Sequence, residues 1–266
     1  MEATLSTELM QKIRRMEIRT RHLVDELFAG EYLSIFKGRG IEFDEVRPYA
    51  LGDDVRAVDW NVTARTGELH IKRYVEEREL TLMLVVDASR SNDFGTVQKF
   101  KREAIAELAA ILSFSATMNN DKVGLLIFTD RVELVIPPRK GRKHVLRLIR
   151  ELLAFEPQGS GTDIKLGLDA INRLMKRRGI VFLVSDFLAD PESYRQALTI
   201  ASNRHDLIAV EVRDRLEQEF ENVGMVVLED AETGRSVHVD SSSRRWQQGF
   251  DDRVIQLESA KNTVFN

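Results

Sequence analysis

From about residue 80 onward, the chain alternates short, continuous apolar runs with longer segments in which apolar residues recur every three or four positions. Runs such as Leu82–Val86 and the first half of Val181–Phe187 are typical of strands buried on both faces. Segments between such runs, for example Val97–Met118, have the spacing of amphipathic helices. Because strands and helices alternate, we predict a three-layer α/β domain with a doubly wound, mostly parallel sheet and helices on both faces.

The same pattern places the individual elements. Strands are predicted at residues 80–86, Lys122–Phe128, Val132–Ile136, 180–185 and Leu207–Val212, followed by a hairpin across Met225–Val239 that turns at Thr233–Gly234. Helices are predicted at Val97–Met118, 143–154, 163–177, 191–202 and within 242–260. The strands at 80–86 and 180–185 should be neighbours where the strand order reverses, and ligands bind beyond the carboxyl ends of such strands.

The first 78 residues follow a different pattern of apolar and polar positions. Apolar residues within Ser6–Phe28 recur on one face of a predicted helix, and Gly30 is placed to end it. Between Glu31 and Arg78, short alternating runs broken by glycine and proline predict a small β-rich region. The predicted domains are therefore an N-terminal helix at 1–30, a β-rich accessory subdomain at 31–78 and the α/β domain at 79–266.

Composition excludes several classes of protein. The 266-residue chain has no cysteine, which rules out disulfides, thiolate zinc sites and thiol catalysis and fits a reducing cytoplasm. Its formal net charge of −4 gives no overall electrostatic reason to bind nucleic acid. No apolar run approaches the roughly 20 residues of a membrane span, and the opening MEATLSTELM lacks the apolar core of a signal peptide. We expect a soluble, cytoplasmic protein without a membrane span.

Candidate chemistry begins where the first buried strand of the α/β domain ends. Asp87, Ser89 and Ser91 place oxygen side chains on alternating residues of the emerging loop. Hard oxygen donors of this kind suit Mg²⁺, Mn²⁺ or Ca²⁺ and suit zinc poorly. The alternative interpretation is a polar turn that caps the following helix.

Two later stretches favour the metal over the turn. The glycine-rich loop Gly159–Asp163, GSGTD, delivers Thr162 at the mouth of a helix, and Asp186 follows the strand at 180–185. With DASRS at 87–91, these stretches resemble the metal-ion-dependent adhesion site of the Rossmann-like von Willebrand factor A domain, over roughly Leu80 to the C-terminus. The resemblance implies that Ser89 and Ser91 ligate Mg²⁺ or Mn²⁺ through their hydroxyls. It also implies that Asp87, Thr162 and Asp186 bind the ion directly or through water.

A more specific resemblance lies upstream. Residues 38–78, GRGIEFDEVRPYALGDDVRAVDWNVTARTGELHIKRYVEER, are similar to the signature of a bacterial family of unknown function in which such a segment precedes a von Willebrand A-like domain. Members are commonly encoded beside MoxR-type AAA+ ATPases, and many carry membrane helices near the N-terminus, which this sequence does not show. The alternating charges of the segment and Trp60 predict a salt-bridged subdomain docked on the sheet, with a partner-binding face as the alternative.

These observations lead to a functional hypothesis. Two serines and a threonine supply neutral oxygens, so an ion held with only two protein carboxylates can accept a third from a partner protein. We therefore expect a non-catalytic, metal-dependent protein-binding module, an adaptor or assembly factor that acts with a MoxR-type AAA+ ATPase and a carboxylate-bearing client. The alternative is a metal-dependent phosphate or ester hydrolase. No phosphate-binding GxxxxGK[ST] loop is present, and His22, His70, His205 and His238 fall outside the three loops.

Overall fold

A computed structural model describes residues 13–14, 42–50, 53–75, 79–89, 101–217, 220, 222–229 and 235–265. The chain divides into two units, one of Leu27–Leu80 and one of Met1–Glu26 together with Thr81–Asn266. Of the predicted helix Ser6–Phe28, only residues 13–14 are described; they are helical, and Ile13 is buried.

The smaller unit is built on two antiparallel strands, β1 (Glu42–Pro48) and β2 (His70–Val75). Between them lie a short 3₁₀ helix, Val55–Ala57, and the helix α1 (Trp60–Thr66). Helix α1 begins at Asp59, whose carboxylate accepts hydrogen bonds from two backbone amides of the first turn. The unit therefore contains a helix within the region predicted to be β-rich.

Two charged residues of the upstream signature form an ion pair in this unit, and Trp60 lies at the surface. The guanidinium of Arg47 donates two hydrogen bonds to the Asp53 carboxylate, at 2.7 and 2.9 Å. Trp60, predicted as a large apolar anchor, has 68% of its surface exposed. It is the first residue of α1 and follows the capping aspartate.

The larger unit contains a five-stranded sheet, with the order β5-β4-β3-β6-β7. Its strands are β3 (Thr81–Asp87), β4 (Lys122–Phe128), β5 (Val132–Arg139), β6 (Ile180–Ser185) and β7 (Asp206–Glu211). All neighbours are parallel except β4 and β5. The predicted adjacency of β3 and β6 is confirmed, and the strand order reverses between them.

Helices cover both faces of this sheet. They are α2 (Lys101–Met118), α3 (Arg142–Ala154), α4 (Ile164–Leu174) and α5 (Pro191–Arg204). On one face, Met83 and Val85 of β3 pack with residues of β6, α4 and α5 in a continuous core. Alternate β3 residues point to the other face, where α2 and α3 contact each other and β4. Because β3 is covered on both sides, its residues 82–87 are all buried.

Beyond β7, a 3₁₀ turn at Arg215–Glu217 leads to the antiparallel hairpin of β8 (Met225–Glu229) and β9 (Ser236–Asp240). The turn predicted at Thr233–Gly234 lies outside the described residues. The last helix, α6 (Arg244–Phe265), is longer than predicted. Among the described residues, none of the helices combines the length and apolar character that crossing a bilayer requires.

Candidate metal site

Two aspartates lie side by side where the strand order reverses. Asp87 is the last residue of β3, and Asp186 directly follows β6, the parallel neighbour of β3. Their exposed fractions are 0% and 2%. Since the carboxyl ends of parallel neighbours meet at one edge of the sheet, both carboxylates reach the position where ligands bind in this class of fold.

The carboxylate of Asp87 is held at both oxygens. Its Oδ1 accepts a hydrogen bond from the Ser89 amide at 2.9 Å, and its Oδ2 accepts one from the Ser185 hydroxyl at 2.7 Å. The Ser185 oxygen in turn accepts from the amide of Phe187 at 3.1 Å. Phe187 has a φ of 52°, a left-handed conformation that is uncommon outside glycine. A second strand-end hydroxyl, which the sequence analysis missed, thus orients the first aspartate.

Burial makes the negative charge of Asp87 unfavourable. The pKa of this carboxyl is raised from the ordinary 3.8 to about 6, mainly by loss of hydration and to a smaller extent by the charge of Asp186. The hydrogen bonds from Ser89 and Ser185 act in the opposite direction and are outweighed. A cation bound between the two carboxylates would offset the unfavourable charge.

A buried lysine also reaches this pair. The ammonium of Lys101, 3% exposed, lies 3.3 Å from Asp186 Oδ2 and also bonds the carboxylate of Glu217, which lies in the turn after β7. Asp186 Oδ1 accepts a hydrogen bond from the Leu188 amide at 3.2 Å. Lys101 was not among the predicted site residues, although its position in the helix indicates that it is buried. It is in phase with the apolar stripe of α2, four positions before Ile105.

The glycine-rich loop comes to the same edge of the sheet. The amide of Asp163 donates to the carbonyl of Thr129, which follows β4, at 3.0 Å. Glu133 of β5 fastens the start of the loop. Its Oε1 accepts hydrogen bonds from the amides of Gln158 and Gly159, at 3.1 and 2.7 Å, and from the Thr129 hydroxyl at 2.9 Å. Thr162 is therefore carried by a loop fixed next to β4, the other neighbour of β3.

Four of the five residues predicted to ligate a metal can be placed. Asp87, Ser89 and Asp186 are buried at the ends of two adjacent strands, and Thr162 lies in the loop beside the next strand. Ser91 lies outside the described residues. Carboxylate and hydroxyl oxygens form the donor set, and this chemistry fits Mg²⁺ or Mn²⁺. In the described part of the chain, no group of three or more His, Asp and Glu side chains could hold a metal, and the proposed ligand set combines two carboxylates with hydroxyls.

Two histidines lie away from this edge. His205 is buried just before β7 begins, and burial lowers its pKa. His144, which the sequence did not place, donates from Nε2 to the carbonyl of Val123 at 2.9 Å, near the start of β4. Both therefore lie toward the amino ends of the parallel strands, opposite the two aspartates.

Similarity to known proteins places the chain in a family. A family model described as "Protein of unknown function DUF58" matches residues 45–259, which include most of the described strands and helices of both units. The chain belongs to this family. The match confirms the predicted membership in a bacterial family of unknown function.

Relatives of this DUF58 protein include two mycobacterial proteins. An uncharacterized protein of Mycobacterium tuberculosis is 36% identical over 241 residues, covering 89% of this chain and 76% of that protein. An uncharacterized protein of Mycobacterium bovis matches to the same extent.

Solved structures give weaker matches. An aerotolerance-related membrane protein of Bacteroides fragilis has 16% identity and a TM-score of 0.43, covering 70% of this chain and 96% of that one. The conserved hypothetical protein BatB of Bacteroides thetaiotaomicron has 15% identity and a TM-score of 0.40, covering 67% and 86%. Likenesses at this level carry no argument about the DUF58 protein.

The packing around Gly159 leaves no space for a side chain unless the neighbouring side chains move. A Cβ at this position would lie 2.1 Å from both the Asp130 carboxylate and the Thr129 hydroxyl. We expect Gly159→Ala to displace the loop and lower the free energy of unfolding by about 1–3 kcal/mol in urea denaturation. The control is Gly249→Ala, in the interior of α6, where a Cβ meets nothing within 4 Å. Equal stability of the two variants would contradict this packing argument.

Proposed function

We propose that this DUF58 protein is a non-catalytic, metal-dependent protein-binding module whose α/β domain is of the von Willebrand factor A type. One observation carries the proposal: Asp87 and Asp186 are buried together at the carboxyl ends of β3 and β6, where the strand order reverses. Burial raises the pKa of Asp87 although Lys101 bonds its neighbour Asp186, and a cation bound between the two carboxylates would favour the charged form of Asp87.

The proposed ligands are Asp87, Ser89, Ser91, Thr162 and Asp186, with Mg²⁺ or Mn²⁺ as the ion. Asp87 and Asp186 supply the negative charge, and Ser185 and the Ser89 amide orient Asp87. When bound, the ion supplies an electrophilic centre that a carboxylate of a partner protein can complete. Such a contact at the centre of an interface is strong because it is charge-assisted, and it is lost when either the ion or the carboxylate is removed.

For the partner, we propose a MoxR-type AAA+ ATPase together with a client that supplies the carboxylate. We propose the ATPase on the resemblance of residues 38–78, and we propose the cytoplasm as the location of the complex. The exposed Trp60 and Val55 of the smaller unit, with 68% and 65% of their surfaces exposed, give that unit a surface suited to a partner as well.

Metal binding is tested first by thermal unfolding. Saturating Mg²⁺ or Mn²⁺ should raise the melting temperature, because an ion that binds only the native state adds about 2.7 kcal/mol of stability at 100 times its Kd. Asp87→Ala should abolish the increase. Asp206→Ala, which removes an exposed aspartate at the opposite edge of the sheet, is the control and should keep it. An equal increase in all three proteins would place the ion elsewhere.

Partner binding is tested by capture of a MoxR-type AAA+ ATPase from native lysate, in which its clients are present. We expect capture in Mg²⁺, and loss of capture with a chelator or with Asp87→Ala. Undiminished capture under all three conditions would contradict a metal-bridged contact. Turnover of phosphate or ester substrates by the purified protein, lost in Asp87→Ala, would instead support the alternative of a metal-dependent hydrolase.

A further inference from the structure

Lys101 places a positive charge on one of the proposed metal ligands. Its ammonium is buried and bonds both Asp186 and Glu217. A residue required only to position Asp186 would need a single carboxylate partner, whereas Lys101 has two. The second, Glu217, is outside the proposed ligand set and has a side chain that is 18% exposed.

We propose that Lys101 is a built-in competitor of the divalent cation: its ammonium leaves Asp186 when the ion binds and is then held by Glu217. This inference rests on the proposed metal site. An ammonium and a divalent ion on the same buried carboxylate repel each other strongly, since little water is present to screen them. Glu217 already contacts the ammonium, so the transfer needs no new partner and leaves no charge buried alone.

Glu217 is held in place to receive the lysine. Its second oxygen, Oε2, accepts a hydrogen bond from the amide of Asp214 at 3.1 Å. The carboxylate of Asp214 accepts in turn from the amide of Leu216 at 3.0 Å, which closes the turn after β7. Metal binding would therefore change the contacts of the segment Asp214–Glu217 as well as those of the two aspartates.

A second buried lysine offers a matched control. Lys261 of α6 bonds the carboxylates of Glu211 and Glu258 and has a side chain that is 5% exposed. It resembles Lys101 in burial and in having two acidic partners, but these partners are Glu211 and Glu258 and not Asp186. Removing it subtracts the same charge from the same end of the sheet, so it separates general electrostatics from direct competition.

The test is calorimetric titration of Mg²⁺ into the full chain and its variants Lys101→Met, Glu217→Gln, the double variant of these two, and Lys261→Met. We expect Lys101→Met to bind Mg²⁺ about tenfold more tightly than the parent, a coupling typical of residues in one charged network. The single variant Glu217→Gln should bind Mg²⁺ several-fold more weakly than the parent, because Asp186 is then the remaining carboxylate partner of Lys101. In the Lys101→Met background, Glu217→Gln should have no effect. Lys261→Met should change the Kd much less than Lys101→Met does.

The other outcomes are decisive as well. An unchanged or weaker Kd in Lys101→Met, with binding retained in the parent, would overturn the competition while leaving the metal site intact. An equal gain in Mg²⁺ affinity in Lys101→Met and Lys261→Met would show that the loss of any nearby positive charge has this effect. That result would also overturn the proposed competition. Absence of binding in every protein would overturn the metal site itself. If Lys101→Met does not fold, an unaltered Kd in Glu217→Gln is sufficient to reject the proposal.

Discussion

Replacement of Lys101 by methionine is expected to lower the free energy of unfolding of the metal-free protein by about 3–5 kcal/mol, the range for removing one partner from a buried ion pair. The change leaves Asp186 without its cation and Glu217 without its closest partner, while methionine preserves most of the buried side-chain volume. Urea denaturation in the presence of a chelator measures the loss.

An exposed ion pair provides the comparison for this prediction. Arg178 and Asp206 are bonded at 2.6 Å with side chains that are 67% and 54% exposed, so Arg178→Met should lose less than about 1 kcal/mol. Saturating Mg²⁺ should stabilise Lys101→Met more than the parent, since the ion replaces the missing charge. A loss in Lys101→Met as small as that in Arg178→Met would show that the buried lysine does not stabilise the carboxylates.

Replacement of Asp87 by asparagine should have the opposite effect on the metal-free protein. The folded state raises the pKa of Asp87 from 3.8 to about 6, so the folded protein binds more protons than the unfolded chain between these values. Stability therefore falls as the pH rises through this window, and above it the ionised carboxylate costs on the order of 3 kcal/mol. Asparagine keeps the shape and an oxygen that can accept from the Ser89 amide, without the charge.

This prediction has a defined pH dependence. At pH 8, in chelator, Asp87→Asn should be more stable than the parent by up to about 3 kcal/mol, and the difference should disappear below about pH 4. Denaturant unfolding at a series of pH values measures it. The same variant should gain no stability from Mg²⁺. A variant less stable than the parent at pH 8 would mean that the charge of Asp87 is already compensated in the metal-free protein.

The parts of the site that follow from strand endings could be predicted from sequence. A continuous apolar run that stops at an aspartate occurs at Asp87 and again at Asp186, and both residues do end adjacent strands. Parallel pairing then requires the two carboxylates to share an edge of the sheet. Local pattern and topology were sufficient here because the ends of the strands and their pairing are properties of the backbone.

Side-chain partners distant in sequence could not be predicted in the same way. Lys101 lies 85 positions from Asp186, and Glu133 lies 26 positions from Gly159, and no local pattern links either pair. Lys101 was overlooked because it occupies an apolar position of α2, where the period of the helix indicates burial but not the buried partner. A charged residue in phase with a buried stripe is the signal that identifies such positions.

Two smaller differences have local reasons. Strand β5 extends three residues beyond the predicted Ile136, through Pro137 and Pro138. Proline has no backbone N–H, which a residue of a central strand needs for hydrogen bonds to its neighbours. Strand β5 tolerates proline because it is an edge strand, and one of its sides makes no hydrogen bonds to another strand of the sheet. Helix α4 ends at Leu174, earlier than the predicted 177, because the backbone of Met175 adopts an extended conformation.

Anomalous diffraction from crystals of the full chain grown with Mn²⁺ shows whether a divalent cation lies between Asp87 and Asp186. We expect one strong anomalous peak within coordination distance of Asp87, at the edge of the sheet that also carries Ser89, Thr162 and Asp186, and we expect no such peak in crystals of Asp87→Ala. A peak bound elsewhere, or a parent crystal without a peak in which Lys101 still bonds Asp186, would contradict this expectation.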